Sequence, residues 1–319
     1  MTRHTIVISE FMDAPAVARL ASLFDVHYAP TLVDQPAELL AAARQADALI
    51  VRNRTQVRGA LLDALHDGAV IGRLGVGLDN IDVDAAHRRG IEVIPATGAN
   101  ADSVAEYVIA TALVLLRGSL LSTHEVAAGQ WPRTRLSGGR EAAGKQVGLI
   151  GFGDIGQRVA RLAQALGMHV VAHDPHRPVD DPVWQAEAVR PVTLEALLAE
   201  SDVISLHLPL LPTTRGLLDA ARLARIKARA VLINTARGGI VDETALADAL
   251  VRGQLAGAAV DVFEHEPLPS GSPLAGAPNL ILTPHVAGVT EESNTRVSAV
   301  IAEAVTQALQ AREVADGLR

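Results

Sequence analysis

The chain has no cysteine. Disulfides, thiolate zinc sites and cysteine nucleophiles are excluded together, although the compartment is not fixed by this absence. Aromatic residues are scarce, at 3% of 319 residues, whereas apolar residues make up 49%. A core of Ala, Val, Leu and Ile suits helices packed on a parallel sheet. Basic residues number 28 against 36 acidic ones, for a net charge of −8, and they are scattered. Nucleic acid and an anionic membrane are therefore not expected as partners. Long apolar runs are lacking as well. The longest, YVIATALVLL, lies between Glu106 and Arg117 and reaches about half a membrane span. The opening MTRHTIVISEFMDAP has a short apolar run and then acids, which is not a signal-peptide pattern. The expectation is a cytoplasmic protein, and the length suggests two domains.

Strand-like and helix-like segments alternate along the chain. TIVIS, DALIV, AVIGRLG and IEVIP read as buried strands, with PAELLAAARQA and DVDAAHRRG as helices between them. Such alternation predicts a parallel sheet with helices on both faces. Residues 102–129 read instead as one long helical region or two abutting ones. Ser103 and Glu106 fit a capping box, with Asn100 and Asp102 as alternative caps. A second alternating series follows: QVGLIGFG, HVVAHD, DVISLHL, AVLINTA, GAAVDVF and LILTPH. The last helical stretch begins at Glu291 and can return to the first lobe. The predicted class is α/β, with two Rossmann-like or flavodoxin-like parallel-sheet domains. One domain comprises residues 1–100 and 286–319, and the other, residues 101–285, is inserted into it.

The strongest local motif is VGLIGFGDIGQRVARLAQALGMHVVAHD. Gly151, Gly153 and Gly156 form GxGxxG between an apolar strand and a helical pattern. The glycines allow a tight turn, close backbone approach to a pyrophosphate, and close helix–strand packing. The helix N-terminus offers free N–H groups to phosphate. Asp174, at the end of the next strand, is placed to bond ribose hydroxyls and repel a 2′-phosphate, which favours NAD over NADP. A metal reading of His173, Asp174 and His176 lacks a fourth ligand.

Three further strand ends carry polar residues: Arg237 after AVLINTA, Asp261 and then Glu266 after GAAV, and His285 after LILTP. Ligands of open α/β sheets sit outside the carboxyl ends of the strands, so these residues can converge. Arginine grips a carboxylate with two prongs. Histidine exchanges a hydroxyl proton while hydride moves to or from a nicotinamide, and a neighbouring carboxylate orients the imidazole. Taken singly, each has a plainer reading as a cap, a turn acid or a packed residue.

At these residues the chain resembles the NAD-dependent D-2-hydroxyacid dehydrogenase family. GLIGFGDIG, INTARGGIVDE, DVFEHEPLP and LTPHVAG match the family's signatures in order and spacing. The resemblance implies that Arg237 binds the substrate carboxylate, that His285 is the acid/base and that Glu266 is its partner. It implies that Asp261 touches the nicotinamide carboxamide. Asp154, Ile155, His207, Leu208, Thr213, Thr235, Ala236, Ala287 and Gly288 then lie along the cofactor. It also implies two lobes joined by two crossings, and a homodimer built on the helices after residue 102. RIKARAVLIN departs from the Lys-Pro-Gly turn usual in relatives.

VRNRTQV, GRLGVGLDNID and GANADSVAEYVI look like the phosphoglycerate dehydrogenase and sulfolactate dehydrogenase side of the family. Gly75, Val76 and Gly77 resemble its carboxylate-binding loop, and Asn100 lies in the third segment. Arg52, Arg54 and Arg73 add positive charge; an extended segment would face Arg52 and Arg54 the same way. The expected substrate is a small 2-hydroxy or 2-oxo acid with an anionic far end. Glyoxylate or hydroxypyruvate reduction is the alternative. Ending at residue 319, the chain is expected to lack the C-terminal regulatory domains of longer relatives. A reading from another class is an NAD-sensing interaction module of the corepressor type, against which stands the absence of a low-complexity linker.

Overall fold

The computed structural model describes residues 3–317, with side chains as far as residue 312. Two compact units are formed: Met1–Asn100 with Val289–Arg319, and Ala101–Gly288.

The first unit holds five strands: β1 (Thr5–Ile8), β2 (Asp25–Tyr28), β3 (Ala48–Val51), β4 (Val70–Arg73) and β5 (Glu92–Pro95). They pair in the order β2-β1-β3-β4-β5, all parallel. Side chains alternate between the two faces. Ile6, Ile8, Ile50 and Val70 pack with Leu20 of the helix Ala14–Leu23 and with Val297, Ile301 and Val305 of the helix Glu291–Gly317. Val7, Leu49, Val51 and Ile71 face the other way, onto Leu39 and Leu62. The final helix therefore returns to the first unit, because its apolar stripe completes one face of this sheet.

The second unit holds seven strands: β6 (Gln146–Ile150), β7 (His169–His173), β8 (Arg190–Pro191), β9 (Val203–Leu206), β10 (Val231–Asn234), β11 (Gly257–Val260) and β12 (Leu280–Leu282). Their order is β12-β11-β10-β9-β6-β7-β8, and every pairing is parallel. The chain reverses its direction of winding between β6 and β9. That gap is the switch point at which doubly wound sheets take their ligands.

Several details differ from the sequence reading. Strands β2 and β8 escaped it, since DVHY alternates exposed and half-buried residues at a sheet edge and β8 has two residues. The helix Ala101–Arg117 starts before Ser103, so Ser103 and Glu106 form no capping box. Gly118, at φ 70°, ends that helix, and the next helical segment departs at 72°. No single helix among the described residues is long and apolar enough to cross a membrane. The second boundary falls after Gly288 and not after His285, because the N–H groups of Val286 and Ala287 are bound to Asp261. In RIKARAVLIN, Arg229 takes φ 64° where a glycine would do so freely, with its N–H on the Gln254 carbonyl and its own carbonyl accepting from Arg140.

Candidate active site

At the switch point, Gly151 adopts φ 93° and lies against the next strand end. A Cβ there would sit 2.2 Å from the His207 carbonyl oxygen. The residue after β6 must therefore be glycine for both conformation and space. Asp174 closes the other side: Oδ2 accepts the Phe152 N–H at 2.9 Å, and Oδ1 accepts the His176 N–H at 3.0 Å. The helix Asp154–Ala165 follows Gly153 with no side chain capping it. Its first-turn N–H groups, from Asp154, Ile155 and Gly156, are thus available to an anion.

Two polar atoms stand at neighbouring strand ends, buried and without partners: Nε2 of His207 after β9 and Oγ1 of Thr235 after β10. Burial disfavours the charged imidazolium and pushes the His207 pKa down to about 3. His207 is thus a neutral ring awaiting a hydrogen-bond partner. Leu208 is half-buried and Thr213 exposed. The loop between them is organised by Thr214, which the sequence reading passed over. Its hydroxyl accepts the Leu211 N–H at 2.7 Å and donates to the Pro209 carbonyl at 2.7 Å.

The second cluster spans the ends of β10, β11 and β12. Gly238 packs so closely on the main chain of Phe263 that a Cβ would fall 1.9 Å from its carbonyl oxygen. This approach brings the Arg237 loop against the loop that carries Glu266. Arg237 is half-buried and donates to the carbonyl of the buried Ala236 at 2.5 Å. Glu266 Oε1 accepts the Phe263 N–H at 3.1 Å, and Oε2 lies 2.8 Å from His285 Nδ1. A carboxylate only accepts, so Nδ1 carries the proton and Nε2 is the nitrogen left for exchange. Burial alone would raise the Glu266 carboxyl. The His285 bond and charge, the Phe263 N–H and the Arg237 guanidinium outweigh it and hold the group below its ordinary value. About a third of each side chain is exposed, so the pair serves orientation more than stability.

Asp261 carries the loop that follows β12. It is 1% exposed and its carboxylate is turned onto the chain. Oδ1 accepts from the Thr283 hydroxyl at 2.6 Å and the Val286 N–H at 2.9 Å, and Oδ2 from the Ala287 N–H at 2.8 Å. His285 has φ 56°, unusual for a residue with a side chain, and its N–H bonds the Asp261 carbonyl at 2.9 Å. Ala287 is buried and Gly288 half-buried in the same loop.

In the first unit, residues 52–55 leave β3 and are held by the buried Glu10, which accepts the N–H groups of Arg52, Arg54 and Thr55. The segment bends over residues 53–55, and the two arginines take different partners. Arg52 donates to Asn294 at 2.9 Å and lies over the Phe11 ring. Arg54 is exposed and pairs with Asp34. Arg73 donates to the Leu74 carbonyl at 3.1 Å and covers Gly75, which has φ 152°. Val76 is exposed, Gly77 half-buried, and Asn100 Oδ1 buried without a partner.

Comparison with known proteins places this geometry in context. Residues 109–287 match the family model described as D-isomer specific 2-hydroxyacid dehydrogenase, NAD binding domain. The chain is 52% identical over 307 residues to an (S)-sulfolactate dehydrogenase of Chromohalobacter salexigens, covering 96% of this chain and 99% of that one. It is 39% identical over 321 residues to a D-3-phosphoglycerate dehydrogenase of Mycobacterium bovis, where it spans all of itself but 59% of the relative. The crystal structure of TT0316 protein from Thermus thermophilus superposes with a TM-score of 0.85 at 35% identity, covering 96% of this chain and 97% of the other. NAD fits the residues present. The uncapped helix start suits its pyrophosphate, Asp174 its ribose, and the partnerless His207 and Thr235 atoms its remaining polar groups.

Two outcomes follow. Gly151→Ala should reduce NADH affinity by roughly a hundredfold or more, because the added methyl collides with backbone that cannot yield; fluorescence titration reads this directly. The lowered Glu266 pKa means that the unfolded chain holds this proton more tightly than the folded one. Its stabilising contribution is complete above the ordinary glutamate value of about 4.3 and is lost as pH falls through the lowered value. The urea stability difference between the parent chain and Glu266→Gln should therefore hold steady from about pH 6 to 5 and shrink on further acidification. A difference that grows toward low pH would contradict it.

Proposed function

The chain belongs to the D-isomer specific 2-hydroxyacid dehydrogenases and is an NAD-dependent enzyme of that class, and from this premise we propose that it interconverts a 2-hydroxy acid carrying a distal sulfonate or phosphate with its 2-oxo acid. The observation that carries the chemistry is the 2.8 Å contact between His285 Nδ1 and Glu266, on a loop packed against that of Arg237. NADH, held at the glycine loop and Asp174, would supply the hydride for the 2-oxo carbon. Arg237 swings from the Ala236 carbonyl to hold the substrate carboxylate with two N–H groups. His285, from Nε2, gives the carbonyl oxygen its proton during reduction and removes it during oxidation. Glu266 keeps the ring in that tautomer and steadies the imidazolium once it forms. The balance is one hydride and one proton added across C=O.

Support for a distal anion comes from the relatives named for sulfolactate and phosphoglycerate, and from Arg54, which is exposed whereas Arg52 and Arg73 are half-buried. Glu10 fixes the Arg54 backbone, and the Asp34 partner lies at the surface. An anionic substrate group can thus replace Asp34 on that guanidinium. We also propose a homodimer. Leu120, Leu121, Val126 and Trp131 are exposed on the segment after Gly118, with Trp131 at 79%, and burying them against a second copy removes this apolar surface from water.

Ranked by kcat/KM over a panel of 2-oxo acids with NADH, 3-sulfopyruvate and 3-phosphohydroxypyruvate should lead hydroxypyruvate, glyoxylate and pyruvate. Arg54→Ala should erase that lead, and a lead unaltered by the substitution would remove Arg54 from substrate recognition. His285→Ala should lower kcat about 10²–10⁴-fold while NADH still binds. NADH binding without turnover on any of these acids would favour an NAD-sensing module. Sedimentation should give twice the chain mass for the parent protein and a shift toward monomer for Leu120→Glu with Trp131→Ala.

A further inference from the structure

Tyr107 lies in the middle of the helix Ala101–Arg117, far in sequence from the motifs that carry the chemistry. Its hydroxyl is 2.6 Å from Thr283 Oγ1, and Thr283 Oγ1 is in turn 2.6 Å from Asp261 Oδ1. The direction of this chain follows from its ends. A carboxylate has no proton to offer, so the single Thr283 hydroxyl proton points at Asp261. The remaining proton, that of Tyr107, must then point at Thr283. Burial raises the Tyr107 pKa, and the negative charge of Asp261 raises it further against the bond to Thr283, so the phenol keeps the proton it donates.

Asp261 Oδ1 also accepts the Val286 N–H, and Oδ2 the Ala287 N–H. The two residues that follow His285 thus hang from one carboxylate, while the His285 N–H is held by the carbonyls of Asp261 and Thr283 at 2.9 and 3.0 Å. His285 itself stands at φ 56°, a conformation that its neighbours must enforce. The same carboxylate oxygen, Oδ1, accepts both from the loop at Val286 and from the Tyr107–Thr283 chain.

We propose that Tyr107 is a positioning residue, whose hydroxyl acts through Thr283 and the Asp261 carboxylate to hold the 284–287 loop and with it the ring of His285. Tyr107 touches neither His285 nor Glu266 in this chain of bonds; its effect passes through Asp261. The inference rests on the reading of His285 as the acid/base. Hydrogen bonds polarised along one line strengthen each other, and the acid/base must be held to within a fraction of an ångström for proton transfer.

The test measures kcat, KM and NADH affinity for Tyr107→Phe, Thr283→Val, Thr283→Ser and the Tyr107→Phe/Thr283→Val pair, with His285→Ala in the same assay. Tyr107→Phe keeps the ring and removes one hydroxyl. It should lower kcat roughly tenfold, short of the hundredfold that about 1 Å of misplacement can cost, with the oxo-acid KM and NADH affinity within about twofold. The double variant should be no slower than Thr283→Val alone, since both remove the same link, and Thr283→Ser should retain most of the rate. An unchanged kcat in Tyr107→Phe, or independent losses that multiply in the pair, would overturn the proposal while an inactive His285→Ala left the acid/base reading standing. Full activity in His285→Ala would overturn both.

Discussion

Asp261 is almost without solvent contact, and the loop bearing His285 is built around it. Three hydrogen bonds to one carboxylate draw Thr283, Val286 and Ala287 into a tight turn beyond the end of β12. A charged group buried in this way is tolerable only while its donors stay in place. The requirement works in both directions. The carboxylate needs the loop to satisfy it, and the loop needs the carboxylate to hold His285 in the left-handed region. The Glu266 contact then sets the tautomer of a ring whose backbone is already placed.

The sheet beneath makes this possible. All seven strands of the second unit run parallel, so the residues after each strand emerge along one edge. Arg237, Asp261 with Glu266, and His285 follow three adjacent strands, β10, β11 and β12. Close backbone contacts then narrow the gaps between loops. Gly238 against Phe263 brings the arginine and carboxylate loops together, and Gly151 against His207 closes the switch point between β6 and β9. The first contact joins the Arg237 and Glu266 side of this edge, and the second closes the glycine-loop side. His207 and Thr235, each with a buried atom lacking a partner, lie at the ends of the two strands between these sides.

Electrostatics along this edge divide the labour between two histidines. His207 is held neutral by burial. His285 keeps a third of its side-chain surface in contact with solvent and donates from Nδ1 to a carboxylate that is itself held below its ordinary range. The Nε2 atom of His207 lacks such access. In the first unit, charge is handled differently. The arginines are bound to local partners, and the buried Glu10 fixes the loop that bears two of them.

Most of the fold could be read from the sequence because buried parallel strands are short, continuous apolar runs and their helices carry regular stripes. Among the described residues, ten of the twelve strands announce themselves this way. The two that do not are edge strands, where half the residues face water or the strand is too short to show a pattern. The glycine fingerprint, Asp174 and the Arg237, Glu266 and His285 positions were legible too, since each sits at a fixed offset from such a run. Contacts between distant segments were not. That Arg52 and Arg54 part company, one to Asn294 and the other to Asp34, depends on where the chain turns after β3. That Asp261 points inward, and that Tyr107 reaches it from 154 residues away through Thr283, depends on a helix packing beside β10 and β11. Local sequence sets which backbone each segment prefers and which chemistry each strand end can offer. Only the packed structure decides which polar atoms meet, because a buried donor or acceptor takes whatever partner the fold brings within about 3 Å.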